Sequence, residues 1–476
     1  MSGELRTSVL VLLIAAAALL AGVCPVTGVK QVCQGSQFFC AILHDDSVKC
    51  WGWGRSYQTG HGDTRDRGTS SVHMGSSLGV VPLEQAGAGA DVIPIYVTCG
   101  GDHNGGHACV LTSAGGVICW GRGYSYAPTA LNPGSGRSFK MVEAGGNHDC
   151  FVLDNDALKC RGYNAWGQTA GGGYSTNMDS QRTIGLGAGR RAVQLAMGAL
   201  SSCALLDDGS VKCWGRNTMG TLGQGNSAHR RSSIDTMPPV NLGTGRSARQ
   251  IACGYEHCCA LMESGTSVKC WGYDRDGQTG YPPAAGTARD VGLVPGDMGD
   301  ALQDIEFDGV PIAAIYAGRL LSCLLHVTGE LRCWGNNNHG EMGIGRTGDY
   351  NIPQIKAEQV PPINLGTGRH VVSAATGPHG YAMCAVLDDG SLKCWGRNSN
   401  GELGLGDRTS RGVLASHLGD DLPAVDLGEP AVLAMKPPSP PPPLPSTAVP
   451  PPSPPPSPPP SPPPSPPPPS PSPPPL

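Results

Sequence analysis

The sequence predicts an all-β chain: a seven-bladed β-propeller with one disulfide-stapled hairpin per blade, followed by a disordered, polyproline II tail. Three observations predict it. The unit Cys-Ala-Leu-Leu-Asp-Asp-Gly-Ser-Val-Lys-Cys-Trp-Gly at 203–215 recurs in degenerate form, so that the chain holds seven copies. The cysteines of each copy are spaced to face one another across a hairpin. Both faces of the implied strands are mostly apolar, as expected when each small sheet is sandwiched between two others; a sheet with one wet face would alternate apolar and polar. Repeats of this kind bury their apolar faces only by stacking, and seven sheets fall within the roughly four to eight blades of propellers.

Within the copy at 203–215, Asp207-Asp208-Gly209 forms a three-residue hairpin loop, with Gly209 where a left-handed backbone follows a type I turn. Pairing Leu206 with Ser210 then sets Leu205 opposite Val211 and Cys203 opposite Cys213. Directly opposed residues have Cα atoms about 4.5 Å apart in a non-hydrogen-bonded pair, within the roughly 4.4–6.8 Å that a disulfide spans. The pairs are Cys40/Cys50, Cys109/Cys119, Cys150/Cys160, Cys203/Cys213, Cys259/Cys270, Cys323/Cys333 and Cys384/Cys394. Successive side chains of a strand point to opposite faces: Cys203, Leu205, Val211 and Cys213 share one, Ala204, Leu206 and Trp214 the other. A buried reduced pair is the alternative reading.

After Trp-Gly comes a polar, Gly-rich turn, as at 220–225, 340–345 and 401–406, and then a Leu-Gly-x-Gly-Arg segment that leads into an apolar strand. Blades differ mainly in loop insertions. Copy three has Arg161 where the others have Trp, and copy two lacks the Gly-x-Leu-Gly-x-Gly turn, so those two blades are expected to be the least regular. The largely apolar ends Val29 to Val32 and Ala431 to Met435 flank the ring, and one is expected to complete a blade begun by the other.

Cys-Ala-Leu…Gly-x-Val-Lys-Cys-Trp-Gly-x-Asn…Gly-x-Leu-Gly-x-Gly resembles the regulator of chromosome condensation repeat superfamily. The resemblance covers roughly residues 29–436 and implies a seven-bladed propeller. That superfamily includes nuclear exchange factors, secreted β-lactamase inhibitor proteins and receptor ectodomains, so it implies no single function.

Both ends bear on compartment. Residues 1–28 carry Arg6, an apolar run from Val9 to Val23 and then small and polar residues, a pattern that fits a secretory signal peptide; an uncleaved anchor is the alternative. Cleavage after Gly28 removes Cys24 and leaves 18 of the 19 cysteines. Fourteen fall in hairpin pairs; the pairing of Cys33, Cys99, Cys253 and Cys258 stays open. Oxidised pairs on this scale belong to a secreted chain. Residues 437–476 are mostly Pro and Ser, in Ser-Pro-Pro-Pro units from Ser453. Such a segment extends as polyproline II at about 3.1 Å per residue, on the order of 120 Å in all. The tail resembles the hydroxyproline-rich rods of plant and green-algal cell-wall glycoproteins, which implies prolines that are hydroxylated and carry arabinose or galactose chains. No Asn-x-Ser/Thr sequon is present.

The chain is 15% charged with a formal net charge of −5, which disfavours nucleic acid as a partner. His107, His148 and His257 each stand two residues before the first cysteine of their hairpin and read as structural groups satisfying local backbone. His257-Cys258-Cys259 with Cys253 nearby suggests a metal site, but Cys259 is claimed by Cys270 and no C-x-x-C pair supplies tetrahedral ligands; no metal or cofactor is expected. Trp51, Trp120, Trp214, Trp271, Trp334 and Trp395 share one repeat position and read as blade core, whereas Trp53 and Trp166 break the pattern. The basic residues before most second cysteines (Lys49, Lys159, Lys212, Lys269, Arg332 and Lys393) read as a charged ring or as stems lying along blade surfaces. No catalytic set stands out, and no enzyme is expected.

Insertions at 63–95 and 281–312 are the candidate binding loops, the second through its acids Asp297, Asp300, Asp304, Glu306 and Asp308. The leading functional expectation is a secreted, monomeric, non-enzymatic binding or structural protein. Its propeller engages an extracellular protein or polysaccharide, and its tail associates with cell wall or matrix. An extracellular inhibitor or sensor module is the alternative. A guanine-nucleotide exchange factor would need a reduced chain, which the signal segment and the cysteine pairs oppose.

Overall fold

The computed structural model describes residues 28–86, 92–281, 290–307, 309–347 and 357–428. Residues 1–27, nearly all of the segment expected to be a signal peptide, lie outside these residues, as do Asp308, the end 431–435 and the Pro/Ser tail. Seven antiparallel sheets of three or four strands follow one another along the chain, at residues 29–52, 94–130, 139–184, 192–215, 248–306, 312–335 and 371–396. We call them blades one to seven. Among the described residues the helical elements are short 3-10 turns, most of them in the connections between blades.

Local chemistry sets each hairpin. Leu206 donates its N–H to Ser210 O at 2.8 Å, Gly209 sits at φ +78°, and Cys203 pairs with Cys213 and Leu205 with Val211. In blades one and three an aspartate, Asp46 or Asp156, takes the left-handed position at φ 65°. This residue type tolerates that region because its short side chain bonds locally. The innermost strand of every blade slips register by one residue at the same place, as at Ala192/Gln194, a bulge that sharpens twist and bends the strand.

Each blade carries its hairpin bridge. Blades one to three hold Cys40–Cys50, Cys109–Cys119 and Cys150–Cys160, and blade four holds Cys203–Cys213. Blades five to seven hold Cys259–Cys270, Cys323–Cys333 and Cys384–Cys394. In all seven the two cysteines stand directly opposite in the strand register. Their Cα atoms are 4.0–4.1 Å apart, somewhat closer than the spacing expected from an unbridged opposed pair. The eleven-position copy keeps the same facing because its extra residue is taken up in the turn 263–266, leaving Leu261 opposite Val268. Two further bridges join the cysteines left open by spacing. Cys253–Cys258 links neighbouring strands inside blade five, and Cys33–Cys99 ties blade one to blade two across 66 positions.

Packing between blades follows one rule. Each repeat tryptophan reaches back one blade and donates its indole N–H to a carbonyl of the preceding Gly-rich turn. Trp120 bonds Gln58 O, Trp214 bonds Gln168 O, Trp271 bonds Thr221 O and Trp395 bonds Glu341 O, each at 2.9 Å, and Trp334 bonds Gln278 O at 3.1 Å. Glycine in the turn is required by the approach: a Cβ on Gly404, at φ +68°, would lie 2.8 Å from the Trp51 indole nitrogen.

Ring closure obeys the same rule; of the two ends expected to share a blade, only Val29 to Val32 falls among the described residues. Val29 to Val32 belong to the inner strand of blade one, whose three strands are consecutive, and blade seven is likewise built from consecutive strands. The seam is made by contacts instead: Trp51 donates to Glu402 O at 2.9 Å, Lys49 to Leu427 O at 2.6 Å, Gly75 N to Asp426 O at 2.9 Å and Gly377 N to Gln34 Oε1 at 2.9 Å.

The basic residues form no charged ring. Lys49, Lys159, Lys212, Lys269, Arg332 and Lys393 each donate to a carbonyl of the connection outside their own sheet or the neighbouring one, for example Lys212 to Ile234 O at 2.9 Å. The histidines hold blades together through side chains rather than local backbone. His148 Nε2 is 2.8 Å from Ser202 Oγ, and His257 Nε2 is 3.0 Å from Ser322 Oγ, both in the next blade.

Another histidine lies at the hub. In blade seven the inner loop is lengthened to 376–381. It carries His379 across the centre, so that a Cβ on Gly146 of blade three would meet its Nε2 at 3.1 Å, and its ring packs edge-on to Tyr255 of blade five at 5.0 Å. Burial drives the His379 pKa down to about 3.

Candidate functional site

An antiparallel blade has two ends. The hairpin turns such as 207–209 occupy one; the loops joining first to second strands, together with the segments after Trp-Gly, occupy the other. Arginine–aromatic pairs gather at the second end: Arg216 over Trp166 at 5.3 Å, Arg319 over Tyr381 at 4.5 Å and over Tyr255 at 5.1 Å, and Arg397 over Tyr381 at 5.6 Å. Tyr57, Tyr126, Tyr163 and Tyr174 are exposed there, all in the arc from blade one to blade three. Large apolar groups left on one arc of a surface mark an interaction site.

The two irregular blades meet within that arc, and their irregularities are one feature. Blade two lacks the turn that would receive an indole from blade three, and blade three carries Arg161 in the indole's place. Its guanidinium replaces one N–H by several. Nη2 donates to Gly123 O of blade two at 3.0 Å and to Tyr174 O at 2.9 Å, and Nε donates to Ser175 O at 3.2 Å. The group stacks 4.0 Å from the centre of the Tyr124 ring and lies 3.7 Å from Asp149. Arg161 is 2% exposed, so these partners carry its charge inside the protein.

Asp149 is the counter-charge. His107 of blade two meets it at 2.7 Å and the Tyr124 hydroxyl donates to it at 2.5 Å. Burial lifts its carboxyl, but His107, Arg161 and Tyr124 outweigh burial and hold it below the ordinary range. Burial and the Asp149 charge push the Tyr124 phenol up. Beside this group Asp102 pairs with Arg122 and accepts from Asn147 Nδ2 at 2.7 Å. A cavity of about 400 Å³ remains where the turn is missing, bounded by these residues together with Tyr163, Trp166 and Tyr174.

The acidic insertion is not brought together as a binding surface. Asp297 is buried and accepts the N–H groups of Gly292, Leu293 and Val294 at 3.0–3.1 Å. Asp300 fastens Thr244 through its N–H and its hydroxyl, both at 2.8 Å, and Asp304 pairs with Arg246 at 2.7 Å. Blade seven repeats the Asp300 fastening with Asp420 and Thr367. Glu306 is exposed on an edge strand, and Asp308 lies outside the described residues. Cys203, Cys253 and Cys258 have sulfurs close enough for metal ligands, but all three are spent in disulfides. Trp53 and Trp166 are half-buried. No helix among the described residues is long and apolar enough to cross a membrane.

Sequence reasoning missed Asp149, Tyr124 and His379. The first two have a signal, the paired departures in copies two and three, but it shows only when one copy is set against the other.

Glu341 carries a prediction of its own. It occupies the turn position held by Gln58, Gln168 and Gln278 in other blades, and like them it accepts the N–H two residues back, from His339 at 2.7 Å. Burial pushes its pKa to about 7. A carboxyl raised in the folded state withdraws stability as pH climbs from about 4.3, its unfolded value, through 7. Glu341→Gln is therefore expected to match the parent in thermal melts at pH 5 and to exceed it at pH 8 by about 1–3 kcal/mol.

The model of the regulator of chromosome condensation (RCC1) repeat matches residues 192–221, 248–278, 312–341 and 379–402, and a second model of that repeat matches 208–261. The chain is 31% identical over 224 residues to the Arabidopsis thaliana ultraviolet-B receptor UVR8, covering 47% of this chain and 45% of the receptor. It is 25% identical over 334 residues to the human E3 ubiquitin-protein ligase HERC2, covering 67% of this chain and 6% of the ligase. The chain thus spans less than half the length of either relative. Among solved structures, Prp20p from Saccharomyces cerevisiae superposes with a TM-score of 0.58 at 19% identity, covering 86% of this chain and 89% of that one. Human WBSCR16 gives 0.57 at 19% identity, covering 79% and 92%.

Proposed function

We propose that this chain, a β-propeller of the regulator of chromosome condensation repeat superfamily, is a secreted, non-enzymatic binding protein that recognises its partner at the loop end of blades one to three. The observation that carries the reading is the arc of exposed tyrosines beside a polar cavity, on a ring whose other irregular residues serve as fasteners. The seven hairpin bridges and the two added to them support an oxidising compartment, as do the signal-like residues 1–28. The Pro/Ser tail supports anchorage in a cell wall or matrix.

The similarity to a receptor and to part of a ligase is compatible with a recognition module and assigns neither activity. Non-reducing peptide mapping of the native protein, with monosaccharide analysis of the tail, tests the placement. Bridged hairpins and glycosylated hydroxyproline are expected; free thiols throughout would overturn secretion. Tyr126→Ala/Tyr174→Ala is expected to lower the amount of protein that matrix preparations capture, the remainder being held by the tail.

A further inference from the structure

We infer that the cavity between blades two and three is a subsite for a neutral saccharide, the end of a glycan chain. This rests on the proposal that the loop end is the recognition surface, and names its ligand.

Size is the first argument. About 400 Å³ lies within the roughly 300–1,000 Å³ of small-molecule sites. Charge is the second. Every ion facing the space already has its counter-ion in the wall, Arg122 on Asp102 and Arg161 on Asp149 with His107 beside them. An anionic or cationic ligand would find no unspent partner, and would have to compete with the half-exposed Arg122–Asp102 pair or break the buried Arg161–Asp149 pair. A polyhydroxyl ligand asks only for hydrogen-bond donors and acceptors, which the side chains of Asp102, Asn147 and Arg122 present at the half-buried wall. The aromatic rim is the third argument. Tyr163 is 38% exposed and Tyr174 64%, with Trp166 partly exposed between blades three and four. Flat rings held at the mouth of a polar cavity suit the C–H face of a pyranose or furanose, which is apolar while its rim is not. Tyr and Trp also lose little conformational entropy on contact.

Architecture gives the fourth. In the other blades a Gly-rich turn and an indole occupy the corresponding space. Here the turn is absent, and the arginine that replaces the indole is drawn against backbone carbonyls at one side. The opening is therefore set in the fold by fully bonded residues and needs no rearrangement to admit a ligand.

The test uses the full secreted chain and isothermal titration with neutral oligosaccharides (galactan, arabinan and xylan fragments), with an oligogalacturonide as the charged control. Binding of at least one neutral oligosaccharide is expected, with little or none of the oligogalacturonide. Tyr163→Ala/Tyr174→Ala and Asn147→Ala are each expected to weaken binding at least tenfold while leaving the melting temperature in place. Val327→Ala, exposed on a hairpin turn at the opposite end of blade six, is expected to change it less than twofold. Binding of the charged fragment alone, binding indifferent to the cavity variants, or no binding by any neutral fragment would each overturn the inference. If the tyrosine variants still lower capture by matrix while no saccharide binds, the recognition surface stands and its ligand is a protein.

Discussion

Arg161→Met is expected to lower the free energy of unfolding by about 3–5 kcal/mol, read from denaturant midpoints at pH 7. The substitution removes the donors held by Gly123, Tyr174 and Ser175 and leaves the Asp149 carboxylate inside the protein with His107 and Tyr124 alone. Asp149→Asn is expected to cost less than half as much, because Arg161 keeps its three carbonyls. The double change Asp149→Ser/Arg161→Trp, which restores residues seen in other blades, is expected to remain below the parent: blade two offers no turn carbonyl, and a buried N–H without an acceptor is costly. The sign of the pH dependence follows from Asp149. Its folded value is depressed, so its contribution is present above about 3.9 and is lost as pH falls below it. The gap between parent and Arg161→Met should therefore narrow in acid. A variant as stable as the parent at pH 7 would show that the charge is not buried.

Removing the bridge between blades one and two, by Cys33→Ala/Cys99→Ala, is expected to cost about 4 kcal/mol, the chain-entropy value for a loop of this length. The hairpin staples close ten or eleven positions, whereas this bridge closes 66 and encloses the insertion after copy one. Its loss should thus act locally as well as globally. Limited proteolysis is expected to cut within 63–93 at least tenfold faster than in the parent, while cleavage near blade five stays unchanged. Equal cutting rates would mean that side-chain packing at Phe38 and Ala108, not the bridge, holds the two blades.

Much of this fold is legible because its information is local. The Asp207-Asp208-Gly209 turn dictates register, register dictates that Cys203 faces Cys213, and the alternation of faces then demands neighbours on both sides. Cys33 and Cys99 are not pairable by the same logic, since their contact depends on which blades adjoin and how their inner strands align. The acids of the second insertion mislead for a related reason. Spacing along the chain shows that Asp297, Asp300 and Asp304 are near one another, but not that each turns toward a different partner. The cavity is half legible. Arg161 and the missing turn both stand out as departures; seeing them as one requires the rule that each indole is held by the blade before it, a relation between copies rather than a property of either.

His379 has a mechanical consequence. A ring of wedges joined only flank to flank has one soft deformation, in which it flattens to an oval, prising apart seams along one diameter and pinching those across it. A strut from blade seven that meets blades three and five on the far side of the hub stiffens the circle against that distortion. Blade three, one wall of the cavity, is thereby braced from across the ring by blade seven.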